Sequence, residues 1–160
     1  MELKAGCNMR LANVCLAAAL VAMAGASVAK DRLKKSDLPA AVQATADAQS
    51  AGATVLGYTK KVEHRRVEYV VQLMVGDRTK GVTIDPQGNV LEVEEQIAPD
   101  ALPANVFHGL SAQARKGTLA KVESLTRRGK IVAYEAQVIT DGKQSQIQVG
   151  ADGQKLAHKE

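Results

Sequence analysis

Few residues in this chain have the type and spacing that chemistry requires. The histidines are His64, His108 and His158, and no two of them are spaced to share a metal ion. Both cysteines, Cys7 and Cys15, lie near the start, and neither has a ligating partner beside it. A nucleophile would need a base and an orienting acid. Ser111, Ser124 and Ser145 lie in no such context, and no Gly-x-Ser-x-Gly is present. Asp85 and Asp152 open glycine-containing turns but lack the spaced oxygens of a calcium loop. These readings predict a protein without catalytic residues, metal or cofactor.

What stands out instead is charge at two turns. Lys60, Lys61, Arg65 and Arg66 cluster around one, and Arg127, Arg128 and Lys130 around another. Such tips could dock on an anionic surface: an acidic protein, a lipid headgroup or a glycan. They would equally serve as solvated charge that guards strand ends against aggregation. Aromatics are confined to Tyr58, Tyr69, Phe107 and Tyr134. The stacking platforms of single-strand binders and the concentrated basic face of duplex binders are both missing, so nucleic acid is not expected.

The elements that carry these turns follow from the pattern. Residues 1–29 read as a secretory signal: Lys4 and Arg10, then an apolar run from Leu11 to Ala24, then Ser27-Val28-Ala29 for cleavage. The run is too short to span a membrane comfortably, so no membrane span is expected after its removal. Both cysteines leave with it, and the rest must hold together by burial alone. It carries 19 basic against 16 acidic residues, mildly basic and well mixed.

Self-comparison finds one unit twice. Leu38-Pro39-Ala40 recurs as Leu102-Pro103-Ala104, Gly52 as Gly117, Tyr69-x-Val71-Gln72-Leu73 as Tyr134-x-Ala136-Gln137-Val138, and Gly88-x-x-Leu91 as Gly153-x-x-Leu156. Residues 30–98 and 99–160 are therefore expected to be tandem repeats. Each opens with a helix. In the first, Ser36 and Asp37 offer capping oxygens, Leu38, Ala41, Val42, Thr45 and Ala48 or Gln49 form the apolar stripe, and Gly52 ends it. In the second the stripe is Leu102, Val106, Leu110 and Ala114, and Gly117 ends it. Strands are expected at 54–62, 67–75, 80–84 and 90–94, and again at 119–126, 132–138, 144–149 and 154–158. The fold class is α+β: two tandem repeats, each one helix packed on an antiparallel β-meander of about four strands.

The Leu-Pro-Ala helix start, the glycine exit, the Tyr-x-Val second strand and the Asp-x-x-Gly turn resemble the PepSY-like family, which includes domains similar to the two-repeat β-lactamase inhibitor proteins. The resemblance covers nearly the whole mature chain. It implies a secreted or periplasmic, non-catalytic domain that binds or restrains another protein on its exposed sheet face. This chain departs from the inhibitors in having few aromatics and no mature disulfide.

Strand alternation assigns the face opposite the helices to Glu68, Val70, Gln72, Met74, Thr83 and Glu92, and to Ala133, Glu135, Gln137, Ile139, Gln146 and Gln148. The functional expectation is an exported binding module, an inhibitor or modulator of an envelope protein such as a peptidase. Its partner would be another envelope protein or an anionic envelope surface. The alternative is a structural or stress-related envelope protein that self-associates through strand edges.

Overall fold

In the computed structural model the described residues are 31–63, 65–158 and 160. The proposed signal segment with Cys7 and Cys15, and His64, lie outside them. The period-two runs form strands, and all the strands join one antiparallel sheet in chain order. These are β1 (Asp31–Leu33), β2 (Thr54–Glu63), β3 (Arg66–Val75), β4 (Arg78–Ile84), β5 (Val90–Ile97), β6 (Thr118–Arg127), β7 (Lys130–Thr140) and β8 (Lys143–Gly150). Helix α1 (Ala40–Gln49) precedes β2, and α2 (Ala104–Ala114) connects β5 to β6.

Both helices pack on the same face of the sheet, over two cores. Leu38, Val42 and Ala46 meet Val71, Leu73, Val82 and Ile84 in the first. Val106 and Leu110 meet Val122, Tyr134, Ala136 and Val149 in the second. Strand β5 serves both, laying Val93 against the first and Ile97 against the second. Each fully buried Val or Leu contributes about 1.5–3 kcal/mol of transfer free energy.

Turns brace the helices at their first residues. A Cβ on Gly88 (φ +89°) would meet the Ala41 carbonyl oxygen at 2.9 Å. One on Gly153 (φ +78°) would strike the Asn105 carbonyl. Only glycine both adopts these angles freely and leaves the room. The Thr45 hydroxyl donates to the Gly88 carbonyl at 2.7 Å, tying α1 to the same turn.

Several expectations need correction. Residues 154–158 do not form a fourth strand in the second half; only Lys155 bridges, to Val149. Gly150 N–H already donates to the Gln154 carbonyl, so the chain folds back tightly instead of extending. Strand β1 was not foreseen. Ser36 and Asp37 do not cap α1. Asp37 accepts the Lys34 N–H at 2.8 Å and caps a short 3-10 turn, and Pro39 stands at the α1 N-cap. In α1 the buried positions are Val42 and Ala46, whereas Ala41 and Ala48 are exposed. A helix this short shows the sheet a narrow stripe, which Leu38 extends from outside.

Candidate functional site

The face turned away from both helices is concave. A depression of about 1090 Å³ runs across it, lined from β2 to β8. Its walls include the two hairpins between β2 and β3 and between β6 and β7, whose tips lie at the same end of the sheet because all strands alternate in direction.

Cross-strand register sets the floor. Val70 faces Thr83, which faces Glu92. Gly81 faces Glu94, and Glu94 faces Leu125. Glu123 sits directly opposite Glu135, which sits opposite Gln148. Four carboxylates, Glu92, Glu94, Glu123 and Glu135, therefore share three neighbouring strands, although the chain as a whole is net +4.

Three of the four are compensated. Arg127 binds Glu92 at 2.7 Å and also Glu160 at 2.8 Å. Lys121 pairs with Glu123 at 2.7 Å. Glu135 accepts from the side-chain amides of Gln146 at 2.9 Å and Gln148 at 2.8 Å. Glu94 has no ion pair or hydrogen bond among the described residues. Its carboxylate and the Gln72 amide lie over Gly81, where a Cβ would meet them at 3.1 and 3.3 Å. Burial raises the Glu94 pKa above the ordinary 4.5, and the fields of Glu123, Glu92 and Glu135 push the same way, opposed by Lys61.

All the residues expected on this face from β3, β4, β5, β7 and β8 lie on its strands. Gln72, Met74, Gln137, Ile139 and Gln146 are partly or fully accessible, as are Glu68 and Glu135. Val70, Thr83, Glu92, Ala133 and Gln148 are buried instead, Glu92 beneath its ion pair with Arg127. The Glu160 amide N–H donates to Gln148 at 3.0 Å, so the last described residue also crosses this side.

The basic set divides. Lys60 and Lys61 belong to the body of β2, not to its tip. Lys60 pairs with Tyr69 and so lies on the helix side. Lys61 binds Glu63 at 2.9 Å and Glu68 at 3.2 Å. Burial opposes the charge on Lys61, but the bonds to Glu63 and Glu68 outweigh it and its pKa is raised. Arg127 is likewise held by carboxylates. Arg65, Arg66, Arg128 and Lys130 are exposed at the tips and form no ion pair with a described residue.

Sequence reasoning missed Glu94, Glu123, Lys121 and Leu125. Glu94 was available from period two, since it stands two residues after Glu92. The β6 residues were obscured by a bulge between Leu119 and Lys121, which shifts their parity.

The fold has known likenesses. A proposed periplasmic protein from Bacteroides eggerthii superposes with a TM-score of 0.60 at 19% identity, over 74% of this chain and 86% of its own. A BLIP-like protein from Bacteroides fragilis gives 0.55 at 22%, over 76% and 85%. A DUF2874 family protein from Bacteroides ovatus gives 0.59 at 16%, over 74% and 84%. The fold is therefore similar to that of the BLIP-like protein. At these identities the likeness is one of fold. No protein-family model matches the chain, and no curated protein matches it significantly.

No group of three metal-ligating side chains occurs among the described residues, and no helix there is long and apolar enough to cross a membrane.

Proposed function

We propose that this protein is an exported, non-catalytic binding module of the bacterial periplasm that takes a protein partner on its concave sheet face and restrains or modulates it. One observation carries the reading. The sheet offers a hollow of about 1090 Å³ on the face free of helices, and among its lining residues Glu94 stands partly desolvated, with no ion pair to a described residue and only the field of Lys61 to offset three neighbouring carboxylates. A carboxylate held this way gains most when a partner supplies a donor or a cation. Gln72, Gln137 and Gln146 would give adaptable hydrogen bonds around it, and Met74 and Ile139 apolar contact. Glu68, Glu135, Val70, Thr83, Glu92 and Gln148 would form the supporting floor. Arg65, Arg66, Arg128 and Lys130 would reach acidic groups at the rim of the same partner. The face has no Trp or Tyr anchor, which points to modest affinity. The fold shared with a BLIP-like protein and a proposed periplasmic protein supports both the binding role and the location.

The reading extends to the family and to origin. A PepSY-like ancestry by tandem duplication is supported by matched pairings 65 residues apart, Tyr69 with Ile84 and Tyr134 with Val149, and by the two glycine braces.

The test compares envelope proteins retained by the wild type, by Gln72→Arg/Gln137→Arg on the concave face, and by Phe107→Arg on exposed helix α2. Loss of the retained protein in the first variant alone supports the proposal. Loss only in the second, or in neither, contradicts it.

A further inference from the structure

We infer a second binding surface, separate from the concave face: the outer edge of β8 accepts an extended acidic peptide segment as a ninth strand. Among the described residues β8 is the last strand of the sheet, paired along its length with β7, and on its other side only Val149 bridges, to Lys155. The backbone there has a defined orientation. The Gln113 side-chain amide donates to the Gln148 carbonyl at 2.9 Å, so that carbonyl points away from β7 and towards α2. Period two turns the N–H and C=O of Gln146 and Gln144 outward as well. Both residues are exposed, and the first turn-back contact, Lys155 on Val149, closes the edge only beyond them.

Beside this edge runs an open groove of about 760 Å³ between the end of α2 and β8. Val138 and Ile147 give it an apolar floor, and Arg115, Lys116 and Lys155 stand along it. Among the described residues no acidic side chain lines it, and none of these three cations is in an ion pair. An edge strand beside a helix-bounded groove is the arrangement in which extended peptides add to a sheet: the main chain supplies hydrogen bonds and alternate side chains enter the groove. The usual protections of an open edge, a proline or an inward charge, do not occur between Gln144 and Gln148. The cations select Asp or Glu at the positions facing the groove. The opposite edge strand, β1, runs only over Asp31–Leu33 and offers a shorter ladder.

The probe is the blocked hexapeptide Ac-Thr-Glu-Val-Glu-Val-Thr-NH2, with its Lys-for-Glu counterpart and a backbone N-methylated copy of the acidic form. Binding to the purified protein is read by fluorescence anisotropy and by amide hydrogen exchange. Two Glu side chains set against exposed cations, replaced by repulsion in the Lys form, give the acidic peptide about a tenfold advantage over the basic one, shrinking in high salt. The Gln144 and Gln146 amides should exchange more slowly in the complex, and N-methylation should abolish binding. Gln146→Pro removes an outward donor without breaking the ladder to β7 and should abolish it too. Arg115→Glu/Lys116→Glu leaves the strand intact and should invert the preference between peptides. Equal binding of both peptides, retained binding of the N-methylated form, or protection confined to the concave strands would overturn the inference. So would a concentration-dependent dimer removed by Gln146→Pro, which would make a second copy the occupant.

Discussion

Replacing Gly153 by Ala tests how the helices are held against the sheet. The added methyl has no flexible neighbour to displace. It strikes the Asn105 carbonyl, with that carbon at 2.5 Å and the Val106 amide nitrogen at 3.0 Å, all of it backbone in the first turn of α2. Relief requires moving the helix, and Val106 and Leu110 on that helix are fully buried. Overpacking of this kind costs about 1–3 kcal/mol, and an L-residue held at φ +78° adds about 1 kcal/mol, so the loss should be about 3 kcal/mol. At Gly88 the nearest atoms are looser, with Ala41 oxygen at 2.9 Å and its Cβ at 3.2 Å, so Gly88→Ala should cost about 2 kcal/mol. Gly129 has a positive φ of 72° but nothing within 4 Å, and Gly129→Ala should cost only the backbone term of about 1 kcal/mol. Urea unfolding monitored by circular dichroism, with constant slope, measures all three. Equal losses at the three glycines, or a smaller loss at Gly153 than at Gly129, would refute the bracing argument.

Three further outcomes follow from the charges. Glu94→Gln should raise the unfolding midpoint at pH 7. A carboxyl whose folded pKa is raised destabilises the fold when ionised, so the wild type recovers as pH falls through that raised value towards 4.5, and thermal melts across this window should show the two converge. Arg127→Ala leaves Glu92, 9% exposed, without its cation, and should cost about 2 kcal/mol in urea after allowing for the solvent that reaches Arg127. Asp85 has the opposite sign. Its carboxylate accepts from the Asn89 side chain at 2.9 Å and from the Asn89 and Gln87 amides, which lowers its pKa below 3.8. The advantage of the wild type over Asp85→Ala should therefore be full above that value and vanish in melts as pH falls below it.

The strands were legible because one side of the sheet is dry. Tyr69, Val71 and Leu73 alternate with Glu68, Val70 and Gln72, and a one-residue slip would have exchanged the two sets. The α2 stripe was equally clear, since Val106, Leu110 and Ala114 recur at helical spacing and are all buried. Alternation could not convey burial. It assigned Val70, Thr83 and Gln148 to the side away from the helices, but whether such residues are wet depends on what neighbouring strands and side chains lay over them. Nor could it join the halves. Glu94 and Glu123 become neighbours only because β5 pairs with β6 after a long helical connection, a non-local contact with no local trace. The basic tips were misjudged for a related reason. Lys61 and Arg127 look free in the sequence, and their carboxylates, Glu68 and Glu92, come from other strands.

The central claim is that the open side of the sheet is where a partner sits. Site-directed photo-crosslinking within the cell envelope addresses it most directly, with the reactive side chain placed singly at Gln72, Gln137, Phe107 or His108. A discrete adduct from Gln72 and Gln137, with none from the two α2 positions, is the predicted result. Adducts from α2 with none from β3 and β7 would contradict the account.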